Sequence, residues 1–213
     1  MSGISVILVG MINYNDIDEV LSHAKKVLPK GTNIEELRKA NPAPFKSDKA
    51  KGSLGHWLEW YLAGNTPNSM TERDIPCGDI KSCGVPHTGN PNRIRMNVQG
   101  RTDFLSKSWR QSGAKKKLPY LIIFYDARTK EIICIRKFVP SDQQMREMQE
   151  DYEMYKSIAE SENFWGNWHS KGKKLYKCIR LGTSGEGSKK TNHQPPKSWW
   201  LGTALTKQVF CSI

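Results

Sequence analysis

No run of 18 consecutive apolar residues occurs in this chain, so the sequence predicts no membrane span. Cysteine occurs five times, at Cys77, Cys83, Cys134, Cys178 and Cys211. An odd number without C-x-x-C spacing supplies neither a disulfide framework nor a cysteine zinc centre. Such usage fits a reducing, intracellular setting and a soluble, cytoplasmic protein. The five histidines form no H-x3-H or H-E-x-x-H pair, which argues against a zinc hydrolase. Internal repeats are lacking, and so is any linker long enough to separate independent domains. Acidic residues are scarce, 21 against 33 Lys plus Arg, for a net charge of +12.

That excess favours a polyanionic partner, either nucleic acid or an anionic membrane surface. It is clustered. Arg93 to Lys117 holds eight basic residues and one acid, Asp103, and Lys171 to Lys197 holds eight and one, Glu186. A merely solubilising surface is the plain alternative. Two dense runs flanking a carboxylate cluster favour nucleic acid. With 213 residues and 37% hydrophobic content, the chain is long enough for one full core.

The opening Ser2 to Asp16 is apolar without a basic leader and predicts a strand or buried segment, not a signal peptide. Asp16 to Leu28 carries a helical stripe of Ile17, Val20, Leu21, Ala24 and Leu28. Thr32 with Glu35 predicts a capping box for a second helix, ended by Asn41-Pro42. A third helix is expected from Lys51 to Ala63, stopping at Gly64. After a strand at Asp79, the segment Cys83 to Pro86 predicts a turn. Ile94 to Val98, Lys117 to Tyr125 and Glu131 to Val139 predict strands, the last two as a hairpin. Ser141 with Gln144 caps a long helix to Ser161, striped by Met145, Met148, Tyr152, Tyr155 and Ala159. Gly182 to Lys197 is expected to be a surface loop, and Ser198 to Phe210 to dock on the core. The layout is mixed α/β around one central sheet flanked by helices.

The chemistry lies between Lys51 and Lys81. A strand alternates its faces, so Asp79 and Lys81 of the triplet Asp79-Ile80-Lys81 point one way while Ile80 enters the core. Asp74 precedes a tight reversal at Cys77-Gly78 that would bring it to Asp79. Glu59 falls at the boundary of the third helix, beside Gly52, Gly55 and Leu62, with Leu54, Leu58 and Tyr61 on the core side. Paired carboxylates repel unless a cation lies between them. Carboxylates with one lysine suit a hard divalent ion next to a phosphate. Asp74 and Asp79 would hold Mg²⁺, the Ile80 carbonyl being a further ligand, and Glu59 would bind a second ion or orient a water. Lys81 would stabilise charge on the phosphorane or position the water. Turn aspartates with a surface lysine are the ordinary alternative.

These residues resemble the MutH-like family of PD-(D/E)xK nucleases, which joins a mismatch-repair nicking enzyme with restriction endonucleases that cut GATC. Lys51, Gly52, Gly55 and Glu59 match the K-G-x-x-G-x-x-x-E part, and Asp74, Asp79 and Lys81 the rest. Asp79 stands at the usual glutamate position, and the step from Asp74 to Asp79 is about two residues shorter than the family's. Lys117-Leu118 resembles the family's lysine ahead of a core strand, Ile179-Arg180 its step into a DNA-contacting loop, and Trp200 its tyrosine near the adenine. Leu181-Gly182 departs from the family's Pro-Lys. The resemblance implies a restriction-endonuclease-like α/β core in a single domain over 1–213. It would comprise a helical part (1–45), a catalytic core (51–161) and a basic DNA-contacting and C-terminal segment (171–213). It also implies catalytic roles for Lys51, Glu59, Asp74, Asp79 and Lys81, and Mg²⁺ as cofactor with Mn²⁺ as a substitute.

The expected function is therefore a type II restriction endonuclease for double-stranded DNA, GATC being the implied site and adenine methylation its control. Two alternatives stay open, a strand-nicking repair nuclease and a non-catalytic basic nucleic-acid-binding protein. DNA contacts are expected from Arg93, Arg95, Lys117, Arg180, Lys189, Lys190 and Trp200. A homodimer would allow both strands to be cut, and a cognate methyltransferase would be the functional partner.

Overall fold

The computed structural model describes residues 12–44, 53–64, 73–99, 101–161, 175–183 and 197–212. Helix α1 (Ile17–Val27) starts where the Asp16 side chain accepts from the Asp18 N–H, and it buries Val20 and Ala24. Helix α2 (Ile34–Ala40) is capped by Asn33, whose side chain accepts from Glu35 and Glu36. The predicted Thr32 cap is displaced by one residue. The Thr32 carbonyl instead accepts from Ile132, and the Asn33 amide also reaches the Thr129 carbonyl. Helix α3 (Ser53–Ala63) ends at Gly64, whose φ of +69° suits a residue without a Cβ. It buries Trp57, Leu58 and Leu62, so Leu62 belongs to the core and not to the Glu59 side.

Two three-stranded sheets follow, where one was expected. The first joins β1 (Asp79–Val85), β3 (Tyr120–Asp126) and β4 (Ile132–Phe138) in the order β1-β3-β4. β1 runs parallel to β3, and β4 antiparallel. The second joins β2 (Arg95–Gln99), β5 (Ile179–Thr183) and β6 (Lys197–Leu201) in the antiparallel order β2-β6-β5. The sequence places each strand but not its partner, and the strands from the two basic runs pair with each other. The expected turn at Cys83 is instead strand: Cys83 and Val85 are buried and pair with Phe124 and Asp126.

The run Tyr120 to Phe124 is fully buried, as a strand covered on both faces must be. Leu121 and Ile123 pack with Val20, Trp57, Leu58 and Ile80 beneath α1 and α3. Tyr120, Ile122 and Phe124 face the other core, with Phe104, Trp109, Tyr152 and Trp199. That layer includes α6 (Asp142–Ser161), where Ser141 and Gln144 cap each other as predicted. It also includes α7 (Thr203–Cys211), which fulfils the expected return of the chain to the core. The short helices α4 (Arg101–Ser106) and α5 (Gly113–Lys116), with a 3-10 turn between them, were not predicted. Their segment is basic and short, so contacts such as buried Phe104 and Trp109 define it, not periodicity. All five cysteines are free. Among the described residues no helix is long and apolar enough to cross a membrane. The expected N-terminal strand falls largely outside the described residues. So does the glycine-rich basic loop, of which Gly182 and Thr183 end β5 and Lys197 begins β6.

Candidate active site

The turn before β1 is closed by paired hydrogen bonds between Ile75 and Gly78 (3.1 and 3.0 Å). It returns the chain on itself and sets Asp74 against Asp79. The Asp74 N–H donates to Asp79 Oδ1 (3.1 Å), and Asp74 Oδ2 accepts from the Ile80 N–H (2.7 Å). A Cβ at Gly78 would stand 2.3 Å from the Pro119 carbonyl oxygen, so no larger residue fits there. That approach lets the Asp79 N–H donate to the same oxygen (3.0 Å).

Asp79 is 0% exposed and Asp74 5%. A buried charge needs partners, and Asp79 has two. The Lys81 ammonium pairs with Oδ2, and Lys117 Nζ lies 3.3 and 3.4 Å from the two oxygens. Lys117 is itself buried at the end of α5. Burial, then the neighbouring Asp79 carboxylate, pushes the Asp74 carboxyl up to about 7, against the pull of Lys81. Burial likewise raises Glu59, opposed by His56 and Lys81. Glu59 thus lies within electrostatic reach of Asp79, Lys81 and Lys117. Burial and the two aspartates raise the Tyr120 hydroxyl well above its usual value. Its ring lies 5.6 Å from Lys81 Nζ.

Arg73 braces this arrangement. Its guanidinium donates to the carbonyls of Lys116 (2.6 Å), Pro76 (2.9 Å) and Leu118 (2.9 Å). It therefore ties the turn that presents Asp74 to the segment that presents Lys117. Sequence reasoning missed Arg73, because an arginine in a turn carries no local signal of carbonyls more than forty residues away.

The donor chemistry suits a hard divalent cation: carboxylate oxygens, one of them on a group that burial and the neighbouring Asp79 raise to about 7. Among the described residues no three His, Cys, Asp or Glu side chains converge as a ready ligand set. The Asp79 carboxylate is engaged by both lysine ammoniums.

A second group forms on the smaller sheet. Arg95 and Arg180 both pair with Trp200, one on each side. Directly paired residues share a face, so the three make a row across the sheet. Their neighbours Ile94, Met96, Ile179, Leu181, Trp199 and Leu201 are buried in the core. Arg95 is exposed, Trp200 partly so, and Arg180 buried. The Arg180 guanidinium lies 5.9 Å from the Tyr176 ring centre, and among the described residues its Nε has no hydrogen-bond partner. A Cβ at Gly182 would come within 3.3 Å of Trp200 Nε1, so glycine leaves the indole its space.

β5 is anchored by Asp151 of α6, which is 2% exposed. Its carboxylate accepts from the N–H groups of Lys177 (2.8 Å), Cys178 (2.7 Å) and Ile179 (2.8 Å). Asp151 also went unremarked in the sequence, although an acid at helical spacing between Met148 and Tyr155 of a buried stripe was a visible signal.

The structure thus brings together Glu59, Asp74, Asp79, Lys81 and Lys117 in one group, and Arg95, Arg180 and Trp200 in another. Arg93 is exposed just ahead of β2. Lys51, Lys189 and Lys190 lie outside the described residues. A search of protein-family models and of curated proteins finds no match to this chain.

Proposed function

We propose that this chain is a Mg²⁺-dependent endonuclease that hydrolyses phosphodiesters of double-stranded DNA, of the type II restriction class. The observation that carries the reading is the buried Asp74–Asp79 pair, with Lys81 and Lys117 both on Asp79 and Glu59 in electrostatic reach. Asp74 and Asp79 would hold the ion. When bound, Mg²⁺ polarises the phosphate and lowers the pKa of a coordinated water. Lys117 pairs with Asp79 in its buried position. Lys81, freed from Asp79, donates to a non-bridging phosphate oxygen as charge builds there. Glu59, its pKa raised by burial, is suited to orient the attacking water and take its proton. The row of Arg95, Trp200 and Arg180 supplies phosphate and base contacts on the neighbouring sheet.

GATC, unmethylated at adenine, is the first sequence to test, with a homodimer as the form that breaks both strands and a methyltransferase as functional partner. The experiment is plasmid digestion with Mg²⁺, Mn²⁺ or EDTA on methylated and unmethylated DNA, beside Asp79→Asn. Discrete fragments lost with EDTA and in the variant support the reading. Open circles alone point to the nicking form.

One observation favours a second reading, a non-catalytic nucleic-acid-binding protein. Asp79 is wholly inaccessible and neutralised by two lysines, as a structural ion cluster would be. Gel shifts of intact DNA under every metal condition would establish it and end the nuclease reading.

A further inference from the structure

Away from the carboxylates, a cavity of about 380 Å³ opens along the outer edge of β4, against the end of α1. β4 is two strands removed from β1, so the cavity lies on the order of 10 Å from Lys81 across the sheet. Its rim carries Lys25, Lys30 and Arg136, and among the described residues no acidic one lines it. Its floor is apolar, with Leu28, Ile133 and Ile135. Among the described residues none of the three cations forms an ion pair. Among the described residues the buried Nε of Arg136 has no hydrogen-bond partner, and the same guanidinium donates to the Ile135 carbonyl at 3.3 Å.

All three cations line the one cavity. All of them act electrostatically on one thiol, Cys134, which lies in the cavity wall. Burial nevertheless raises that thiol above its usual value. Cys134 stays protonated and lines the cavity as a small apolar group, not as a nucleophile. A ligand here is held non-covalently.

The geometry points to a binding site for an organic phosphate of nucleotide size, its phosphate held by Lys25, Lys30 and Arg136 and its body resting on the apolar floor. Cavities of about 300–1,000 Å³ take whole small molecules, so a bare phosphate would leave the floor uncovered. The planar fork of Arg136 matches two oxygens of one phosphate. Charges gathered at one rim suit a single multivalent anion better than the spaced charges of an acidic peptide. The site is independent of the nuclease reading.

The test is calorimetric titration in EDTA with adenosine 5′-monophosphate, adenosine and inorganic phosphate, with amide shifts mapped by NMR. The monophosphate is expected to bind more tightly than either fragment, shifting the amides of Lys25 to Lys30 and Ile133 to Arg136. The double variant Lys25→Ala, Lys30→Ala should weaken it about tenfold or more. Arg136→Lys, which keeps the charge and loses the fork, should weaken it severalfold, and Asp79→Asn should leave it unchanged. The proposal is overturned if the monophosphate binds no better than inorganic phosphate, or if nothing binds. It is equally overturned if the shifts centre on Lys81 and Lys117 and binding is lost only in Lys117→Ala. The lysines are on the surface, and unchanged melting of their variants confirms that the fold is intact.

Discussion

Two buried acidic centres stand at the entrance to a strand, and they are satisfied in opposite ways. Asp151 meets the start of β5 with three backbone N–H donors. Asp74 and Asp79 meet the start of β1 with one backbone donor each, Ile80 N–H on Asp74 and Asp74 N–H on Asp79, and with the ammoniums of Lys81 and Lys117 on Asp79. Burial raises the Asp151 carboxyl, and its three donors pull against that rise. At Asp74 a like charge adds to burial, and the result is about 7. Backbone donors are fixed by the fold and can do nothing but hold. Lysine side chains can be displaced, and a carboxylate they leave can accept an ion. The first centre is a clamp. The second is where the proposed chemistry would take place.

The sharpest way to break this contrast is to remove the clamp. Asp151→Ala leaves three buried N–H groups unsatisfied and should cost about 5 kcal/mol in urea or thermal unfolding. Asp151→Asn retains an acceptor and should cost about half of that. A near-neutral alanine variant would mean the donors find water, and the centre is no clamp.

At the other centre the large effect should fall on chemistry. Asp79→Asn is expected to lower the DNA cleavage rate about a thousandfold, roughly 4 kcal/mol of barrier, in protein that still shows a cooperative melt. Full cleavage by this variant would remove Asp79 from the mechanism.

The pH dependence separates the centres further. The folded pKa of Asp74, about 7, lies above its unfolded value of about 3.9. The folded state therefore holds a proton that the unfolded chain has released. The contribution is complete below about pH 4 and lost as pH rises to about 7. Wild type should lose about 4 kcal/mol relative to Asp74→Asn across that window. Mg²⁺ should restore stability to wild type above pH 7 and not to the variant. Parallel pH curves for the two proteins would show that Asp74 ionises normally.

The smallest effects belong to the arginine–tryptophan row. Trp200→Ala should weaken DNA binding by about 1–2 kcal/mol if its indole meets a base. Arg95→Ala should reduce the salt slope by about one if it meets a phosphate. Loss of binding without a change in slope in the arginine variant would place Arg95 away from the backbone.

Much of this was legible in the chain itself. Alternation set Ile80 into the core and put Asp79 and Lys81 on the other face, because a strand allows nothing else. The apolar run before Asp126 declared a core strand, and the Ser141–Gln144 cap and the stripe from Met145 to Ala159 declared α6. These are local facts, fixed by backbone periodicity and by hydrogen bonds between near neighbours. What the sequence could not decide was distance between remote residues. Two sheets instead of one, Lys117 against Asp79, Arg73 bridging to Lys116 and Leu118, and Arg95 and Arg180 on either side of Trp200 all depend on segments meeting across the fold. Packing and strand pairing choose those meetings, and no spacing along the chain records them.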